Sequence, residues 1–346
     1  MVQNSYIISI TRGMRYKMTG IRIRQIVYSI IFFALTLSIL TFSKLSISYA
    51  ALGLQLWFEK MVPALFPFMI VSGILIRLNL TELFSSLIYP PVKAVFQVSK
   101  NVSYCMFVGF LCGFPMGAKT VADLYLFRKI TRDEAEFLLS FVNNIGPVFF
   151  LGYALPTLGL KMTLPYLAGM YLLPLVYGLF LRKTLYKRKI SIQGRLLPEI
   201  CPPNHIKAAQ ESPSATKPSS GNSSLFQAID DAIQSAVSSM LTLGGYMIFF
   251  NLLNMIPHIL LNHPSVYLSP LFEINGGLSI AGASMPLYIL ILLPFGGLSC
   301  IAQTYSCIRN SDLKISSYLA HKGILTLLTV LFYFAWYLVS PGTFLT

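Results

Sequence analysis

The sequence is poor in charged residues. Only 11% of its 346 residues are Asp, Glu, Lys or Arg, whereas soluble domains carry about 25%. Hydrophobic residues make up 55%, the mean hydropathy is +0.67, and several long apolar runs occur. This composition excludes an ordinary soluble domain and predicts an all-α polytopic membrane protein whose main partner is the lipid bilayer.

Acidic residues are especially scarce. There are 12 Asp and Glu against 26 Lys and Arg, which gives a net charge of +14. A nucleic-acid-binding protein would gather its basic residues on one soluble face. Here they form short clusters between apolar runs, which is the pattern that sets membrane topology. We therefore expect no nucleic-acid partner.

Cysteine and histidine are also few. The five cysteines include no CxxC pair, and the four histidines lack metal-ligand spacing. No P-loop, GxSxG or HExxH motif is present. We expect no catalytic residues, no metal site and no cofactor.

The apolar segments define the predicted organisation. A basic tail (1–25) precedes a retained signal-anchor helix (26–43), a first half (50–181), a flexible basic loop (182–224) and a second half (225–340). The full spans are predicted at Ile26–Ser43, Leu52–Ile76, Phe137–Leu158, Pro165–Leu181, Ile233–Leu261 and Tyr318–Leu338.

Two further apolar segments are broken by glycine and proline. Ser103–Ala122 contains Cys112-Gly113-Phe114-Pro115-Met116-Gly117, and Pro286–Ile308 contains Pro294-Phe295-Gly296-Gly297. If both are re-entrant hairpins and both termini are cytoplasmic, most lysines and arginines fall on the cytoplasmic side, as topology requires. This reading gives six full spans plus two hairpins. Eight plain spans are the alternative, because membrane helices tolerate glycine and proline.

The two broken segments also resemble each other. Gly113–Thr120 reads GFPMGAKT and Gly297–Thr304 reads GLSCIAQT, with Gly, Ala and Thr at equivalent positions. In the proposed topology the first hairpin opens inward and the second outward, so the halves are inverted repeats. Paired broken helices in inverted repeats are typical of secondary transporters, whose substrate lies where the breaks meet.

Four blocks of the sequence are distinctive: VPALFPF at Val62–Phe68, GFLCGFPMGAKT at Gly109–Thr120, LSFVNNIGP at Leu139–Pro147 and FGGLS at Phe295–Ser299. They resemble the YlbJ family of sporulation integral membrane proteins, which is grouped in the nucleoside-recognition, or Gate, superfamily. The resemblance implies a bacterial cell-membrane protein that is needed to form mature, resistant spores. It also implies a Gate-like fold, and it implies no particular substrate.

The candidate binding residues lie at or beside the breaks. Glycine permits unusual dihedrals and close approach, proline ends a helix without a donor, and polar groups inside a membrane need partners. The candidates are Gly113, Pro115, Gly117, Lys119, Asp123, Asn143, Asn144, Glu273, Asn275, Gly296, Gly297, Ser299 and Gln303.

Several of these residues have a structural and a functional interpretation. Lys119 and Asp123 are spaced to pair on one helix face, either to hold an anionic or hydroxylated solute or to mark the interface. Asn143 and Asn144 could bind solute or satisfy the broken backbone. Glu273 is either a buried, ion-coupling carboxylate or a loop acid.

The sequence leaves three functions open. The first is a channel or carrier for a small polar solute, and the second is a non-transporting scaffold of the spore envelope. A membrane enzyme acting on lipid or cell-wall precursors is the third, and it lacks a recognised acid–base or nucleophile set. A homodimer or other sporulation membrane proteins are the expected protein partners.

Overall fold

The computed structural model describes residues 23–160, 164–190 and 225–340. Within them the chain is helical and contains no strand, which confirms an all-helical, multi-pass membrane protein. The helices are α1 (Ile23–Thr41), α2 (Ser43–Arg77), α3 (Thr81–Ser85), α4 (Tyr89–Phe96), α5 (Lys100–Cys112), α6 (Met116–Leu126), α7 (Arg132–Leu139), α8 (Pro147–Thr157), α9 (Leu164–Lys183), α10 (Leu225–Leu253), α11 (Met255–Leu261), α12 (Ser269–Phe272), α13 (Ile274–Ala281), α14 (Pro286–Leu292), α15 (Gly297–Ile308) and α16 (Ile315–Val339).

Two compact units are present. The first comprises residues 1–48 and includes α1, and the second comprises residues 49–346. Six helical segments among the described residues are long and apolar enough to cross a membrane: Ile23–Thr41, Ser43–Arg77, Leu164–Lys183, Leu225–Leu261, Pro286–Ile308 and Ile315–Val339. Five of these six segments correspond to predicted full spans, and the sixth is the broken segment Pro286–Ile308.

The remaining predicted span, Phe137–Leu158, is not one of the six. The chain leaves α7 at Leu139 and is not helical again until Pro147, where the short helix α8 starts. The intervening Asn143-Asn144-Ile145-Gly146 stretch is buried loop. Gly146 and Pro147 interrupt the helix, so the prediction of a full span here is wrong.

Three helices widen into a π-helical turn directly before a proline. Val62, Leu155 and Leu173 each donate their backbone N–H to the carbonyl five residues earlier, and each is followed by proline. A proline ring in a regular helix clashes with the carbonyl four residues before it. The wider turn makes room for that ring, so α2, α8 and α9 continue through their prolines.

The first broken segment is a hairpin. Its two ends lie together, because the Asn101 side chain near the start of α5 donates to the Lys129 carbonyl just after α6 at 3.4 Å. Between the arms, a Cβ placed on Gly109 would lie 3.3 Å from the Gly117 Cα. The close approach of these two glycines lets α5 and α6 pack side by side, as a re-entrant segment requires.

The hairpin makes a topological prediction. Single cysteines at Lys100 and Arg128, in a background without the native cysteines, should be labelled by a membrane-impermeant maleimide from the same side of the membrane. A cysteine at Lys100 that is labelled only from the opposite side to one at Arg128 would contradict the hairpin. Intact and permeabilised cells supply the comparison.

The second broken segment contains the expected break. Helix α14 ends at Leu292 and α15 begins at Gly297, with Gly296 at φ 77° and Gly297 at φ 75°. Together the two helices form a 23-residue apolar segment that could cross a membrane as one broken span. The two helices thus run on as one span across the break and do not fold back on each other, so the predicted hairpin form of the second segment is wrong. The inverted orientation of the two halves stays a prediction.

Two predicted segments, the basic tail 1–25 and the loop 182–224, lie mostly outside the described residues. Arg182 itself is described, and it is buried rather than part of a flexible loop. Its guanidinium donates to the carbonyls of Tyr186, Lys187, Ile190 and Gln97. Arg182 therefore holds the residues that follow α9 against the end of α4.

Candidate functional site

The tip of the first hairpin is covered by the loop between α7 and α8. Gly113 adopts φ 81° and ψ −155°, a region that essentially only glycine occupies. The next peptide, Phe114–Pro115, is cis. A Cβ on Gly113 would lie 2.2 Å from the Gly146 amide nitrogen. Glycine is therefore required at position 113 both by its dihedral angles and by the contact with the loop.

Asn143 ties this loop to both broken segments. Its side-chain oxygen accepts from the Ala118 amide in the first turn of α6 at 3.2 Å. Its amide nitrogen donates to the Thr304 hydroxyl on α15 at 2.9 Å and to the Tyr318 hydroxyl on α16 at 3.1 Å. The amide thus satisfies a backbone donor that the break leaves free, and it links α6 to the second half.

Lys322 lies where the two breaks meet. It is 1% exposed and lies about two turns from the start of α16. Its ammonium donates to the Asn143 carbonyl, to the Asn144 side-chain oxygen at 2.8 Å and to the Pro294 carbonyl at 3.0 Å. It also lies 4.5 Å from the centre of the Phe114 ring. One lysine thus contacts the loop, the first break and the second break.

The two breaks also touch directly. A Cβ on Gly296 would lie 3.1 Å from the edge of the Phe114 ring. A Cβ on Gly297 would lie 2.9 Å from the Pro270 carbonyl before α13. Gly296 and Gly297 therefore combine a left-handed conformation with close contacts to other segments.

A cleft opens beside this junction, with a volume of about 40 Å³. That is room for about three water molecules. Residues from both breaks line it, including Phe114 and Leu293. The other lining side chains are apolar except Asn275 and Gln303. The Gln303 side chain donates to the buried Ser299 hydroxyl at 2.9 Å.

A second polar cluster surrounds Glu273, which is fully buried. Its carboxylate accepts from the Gly276 amide at 2.6 Å, from the Asn275 side chain at 2.7 Å and from the Asn251 side chain at 3.1 Å. Glu273 lies outside the candidate spans. Burial raises the pKa of its carboxyl, and these hydrogen bonds act against that rise.

The predicted Lys119–Asp123 pair is present but lies elsewhere. The ammonium and carboxylate are 3.2 Å apart, and Lys119 also donates to the Ser235 hydroxyl on α10 at 3.3 Å. Neither residue lines the cleft.

Most of the other predicted candidates lie together. Around the junction and cleft the structure gathers Gly113, Pro115, Gly117, Asn143, Asn144, Gly296, Gly297, Ser299, Gln303 and Asn275, with Glu273 attached through Asn275.

Sequence reasoning missed Lys322 and Asn251. Lys322 is not among the predicted candidates, although it lies inside the predicted span Tyr318–Leu338. An ionisable residue within such a segment is by default a functional candidate, and that signal was available. Asn251 carried a related signal, because a polar amide within the long apolar helix α10 also needs a partner.

The chain is similar to a known sporulation protein. It is 25% identical over 323 residues to the sporulation integral membrane protein YlbJ of Bacillus subtilis (strain 168), and the alignment covers 86% of this chain and 79% of that protein. No protein-family model matches the chain, and no solved structure matches it. The similarity supports the resemblance to the YlbJ family that the motifs indicated, and membership of the Gate superfamily stays a prediction.

Proposed function

We propose that the protein acts in spore formation as a multi-pass protein of the cell membrane, and that its broken-helix core binds and passes a small polar solute. The sporulation role is supported by the similarity to YlbJ. The solute pathway is supported by one observation: breaks from both halves of the chain meet beside an internal cleft. Both termini are proposed to be cytoplasmic, in line with the distribution of basic residues.

The lining of the cleft narrows the solute class. Its polar side chains are the neutral amides Asn275 and Gln303, and none of the described residues that line it is charged. In the closed cleft an anion would be poorly stabilised, because a buried charge requires a paired counter-charge and the ammonium of Lys322 is turned to the Asn143, Asn144 and Pro294 oxygens. Lys119, which could have supplied one, is paired with Asp123 at another surface. An uncharged solute that forms hydrogen bonds fits this chemistry best.

The small size of the cleft implies that the junction between the two breaks must open for a solute to pass. A volume of about 40 Å³ holds a few water molecules, so a larger solute requires the junction to open. The four carbonyl and ring contacts of Lys322 with the two breaks and their covering loop hold the junction closed. Opening therefore requires Lys322 to leave at least one of its acceptors.

A non-transporting scaffold of the spore envelope is the second candidate. The observation in its favour is that same Lys322 network, because an ammonium that fills the junction also suits a static core. We propose a non-enzymatic role in either case, since the sequence contains no recognised nucleophile or acid–base set.

Spore formation tests the proposal. The chain, expressed in a Bacillus subtilis strain that lacks YlbJ, is expected to restore heat-resistant spores. Gln303→Leu keeps the side-chain size and removes a polar group from the cleft, so we expect it to strongly reduce heat-resistant spores at unchanged membrane abundance. Gln234→Leu, at an exposed position of α10, is the matched control and should behave as the wild type.

The outcomes separate the two candidates. Spores that survive heating equally well with Gln303→Leu would contradict a solute pathway through the cleft and favour the scaffold. Failure of the wild-type chain to complement, at normal abundance in the membrane, would contradict the sporulation role in that host.

A further inference from the structure

The cluster around Glu273 contains polar atoms that no protein group satisfies. Asn251, Asn254, Ser269 and Glu273 all have 0% exposure. The Asn251 side-chain oxygen, both polar atoms of the Asn254 side chain and the Ser269 hydroxyl lack hydrogen-bond partners in the described part of the chain. A buried polar group without a partner costs about 1–3 kcal/mol, so several in one place indicate a bound species.

The residues that carry these atoms are linked to one another. Asn251 and Asn254 are neighbours at the end of α10, where the Asn254 amide donates to the Asn251 carbonyl at 3.0 Å. Ser269 and Glu273 are one turn apart, since the Glu273 amide donates to the Ser269 carbonyl at 3.0 Å. The two pairs are joined by the hydrogen bond from Asn251 to the Glu273 carboxylate at 3.1 Å.

The hydrogen bonds of Glu273 favour its ionised form and oppose the rise in its pKa that burial causes. Its two oxygens accept three N–H bonds, and a carboxylate that accepts several such bonds is stabilised in the charged state. Glu273 also caps the N-terminus of α13, where a negative charge is favoured. Among the described residues no Lys, Arg or His forms an ion pair with it. A negative charge on Glu273 thus has no counter-ion in the described part of the chain, and a bound cation would offset the cost of burying that charge.

We propose that this cluster binds an alkali-metal cation of the size of Na⁺ or K⁺. The Glu273 carboxylate supplies the charge, and the free oxygens of Asn251, Asn254 and Ser269 supply neutral ligands. Hard cations prefer such oxygens, and a divalent ion such as Ca²⁺ is usually held by several carboxylates, whereas this cluster has one. A water molecule would satisfy the free oxygens but would leave the carboxylate charge uncompensated.

The proposal does not depend on solute passage, since a scaffold could hold the same ion. The cation would nevertheless lie one side chain away from the cleft, because Asn275 both donates to Glu273 and lines the cleft.

Thermal unfolding of the purified full-length protein in detergent tests the proposal. Melting temperatures are compared in NaCl, KCl and choline chloride at equal ionic strength, where choline is too large for the cluster. At about ten times the dissociation constant, Na⁺ or K⁺ is expected to raise the melting temperature by about 3 °C over choline. Equal melting temperatures of the wild type in all three salts would overturn the proposal.

Variants locate the effect. Glu273→Gln should abolish the difference between the alkali salts and choline, whereas Glu59→Gln, which removes an exposed carboxylate of α2, should retain it. Asn254→Ala serves as a second variant, because its side chain has no hydrogen bond to lose. It should need several-fold more cation for the same shift. A shift that is unchanged in Glu273→Gln, or in Asn254→Ala where Glu273→Gln does not fold, would refute the site.

Discussion

Lys322→Met is expected to destabilise the protein strongly, whereas Lys314→Met should leave its stability unchanged. The substitution removes the donor from three buried acceptors: the Asn143 carbonyl, the Asn144 side-chain oxygen and the Pro294 carbonyl. Each acceptor left without a partner costs about 1–3 kcal/mol. Two of the three acceptors are backbone carbonyls, so no second side-chain substitution can remove them together with the lysine.

The desolvation cost of the buried ammonium acts in the opposite direction on the stability of the folded protein. A buried ammonium is itself costly, and replacing buried ionic groups with apolar residues of similar size is sometimes stabilising. That gain requires both partners to be replaced, whereas Lys322→Met leaves the acceptors in place. We therefore expect the cost of the three unpaired acceptors to exceed the stability that is gained by removing the buried charge.

Membrane abundance and melting temperature measure the outcome. We expect Lys322→Met to lower the melting temperature by more than about 5 °C, in line with the loss of a few kcal/mol, or to abolish accumulation in the membrane. Lys314→Met is the matched control, because Lys314 precedes the same helix and is exposed. A Lys322→Met protein that melts at or above the wild-type temperature would show that the lysine does not hold the breaks together.

Gly113→Ala is expected to prevent the first hairpin from closing. A residue with a Cβ at φ 81° and ψ −155° is strained by roughly 1–3 kcal/mol. The added methyl would also lie 2.2 Å from the Gly146 amide nitrogen and 2.9 Å from the Asn144 carbonyl. Both contacts are with backbone, so no rotamer change relieves them. The covering loop, and with it Asn143 and Asn144, must move away.

Gly245→Ala is the matched control for this substitution. Gly245 is inside helix α10, and a Cβ there would meet no atom within 4 Å. Alanine in a helix interior is favoured over glycine by about 1 kcal/mol, so this variant should be at least as stable as the wild type. We expect Gly113→Ala to show a large loss of folded protein by size-exclusion chromatography in detergent. Equal elution profiles for the two variants would contradict the tight tip of the hairpin.

The first hairpin was predictable because its signals are local. Cys112-Gly113-Phe114-Pro115 interrupts an apolar run, and the basic residues at Lys100 and Arg128 favour a return to the same side. The Asn143–Gly146 loop was not recognised as a break, although Gly146-Pro147 carries a similar local signal. Hydropathy averaged over a window hides a short buried loop, because its apolar neighbours dominate the average.

Lys322 shows where counting charges fails. A topology argument assigns every lysine to one aqueous side, and Lys322 belongs to neither. Its position inside α16 indicated a special residue, but only the fold shows its acceptors. The acceptors lie at Asn143, Asn144 and Pro294, far from Lys322 along the chain.

By itself the sequence determined the membrane environment, most of the helical spans and the two glycine- and proline-containing breaks, because each depends on residues that are close together in the chain. Only the tertiary structure decided that the breaks meet at Lys322, that Lys119 faces α10 rather than the cleft, and that Glu273 lies with Asn251. These are contacts between distant segments. They depend on how helices pack, and the composition and periodicity of any one segment do not encode which other segment it will touch.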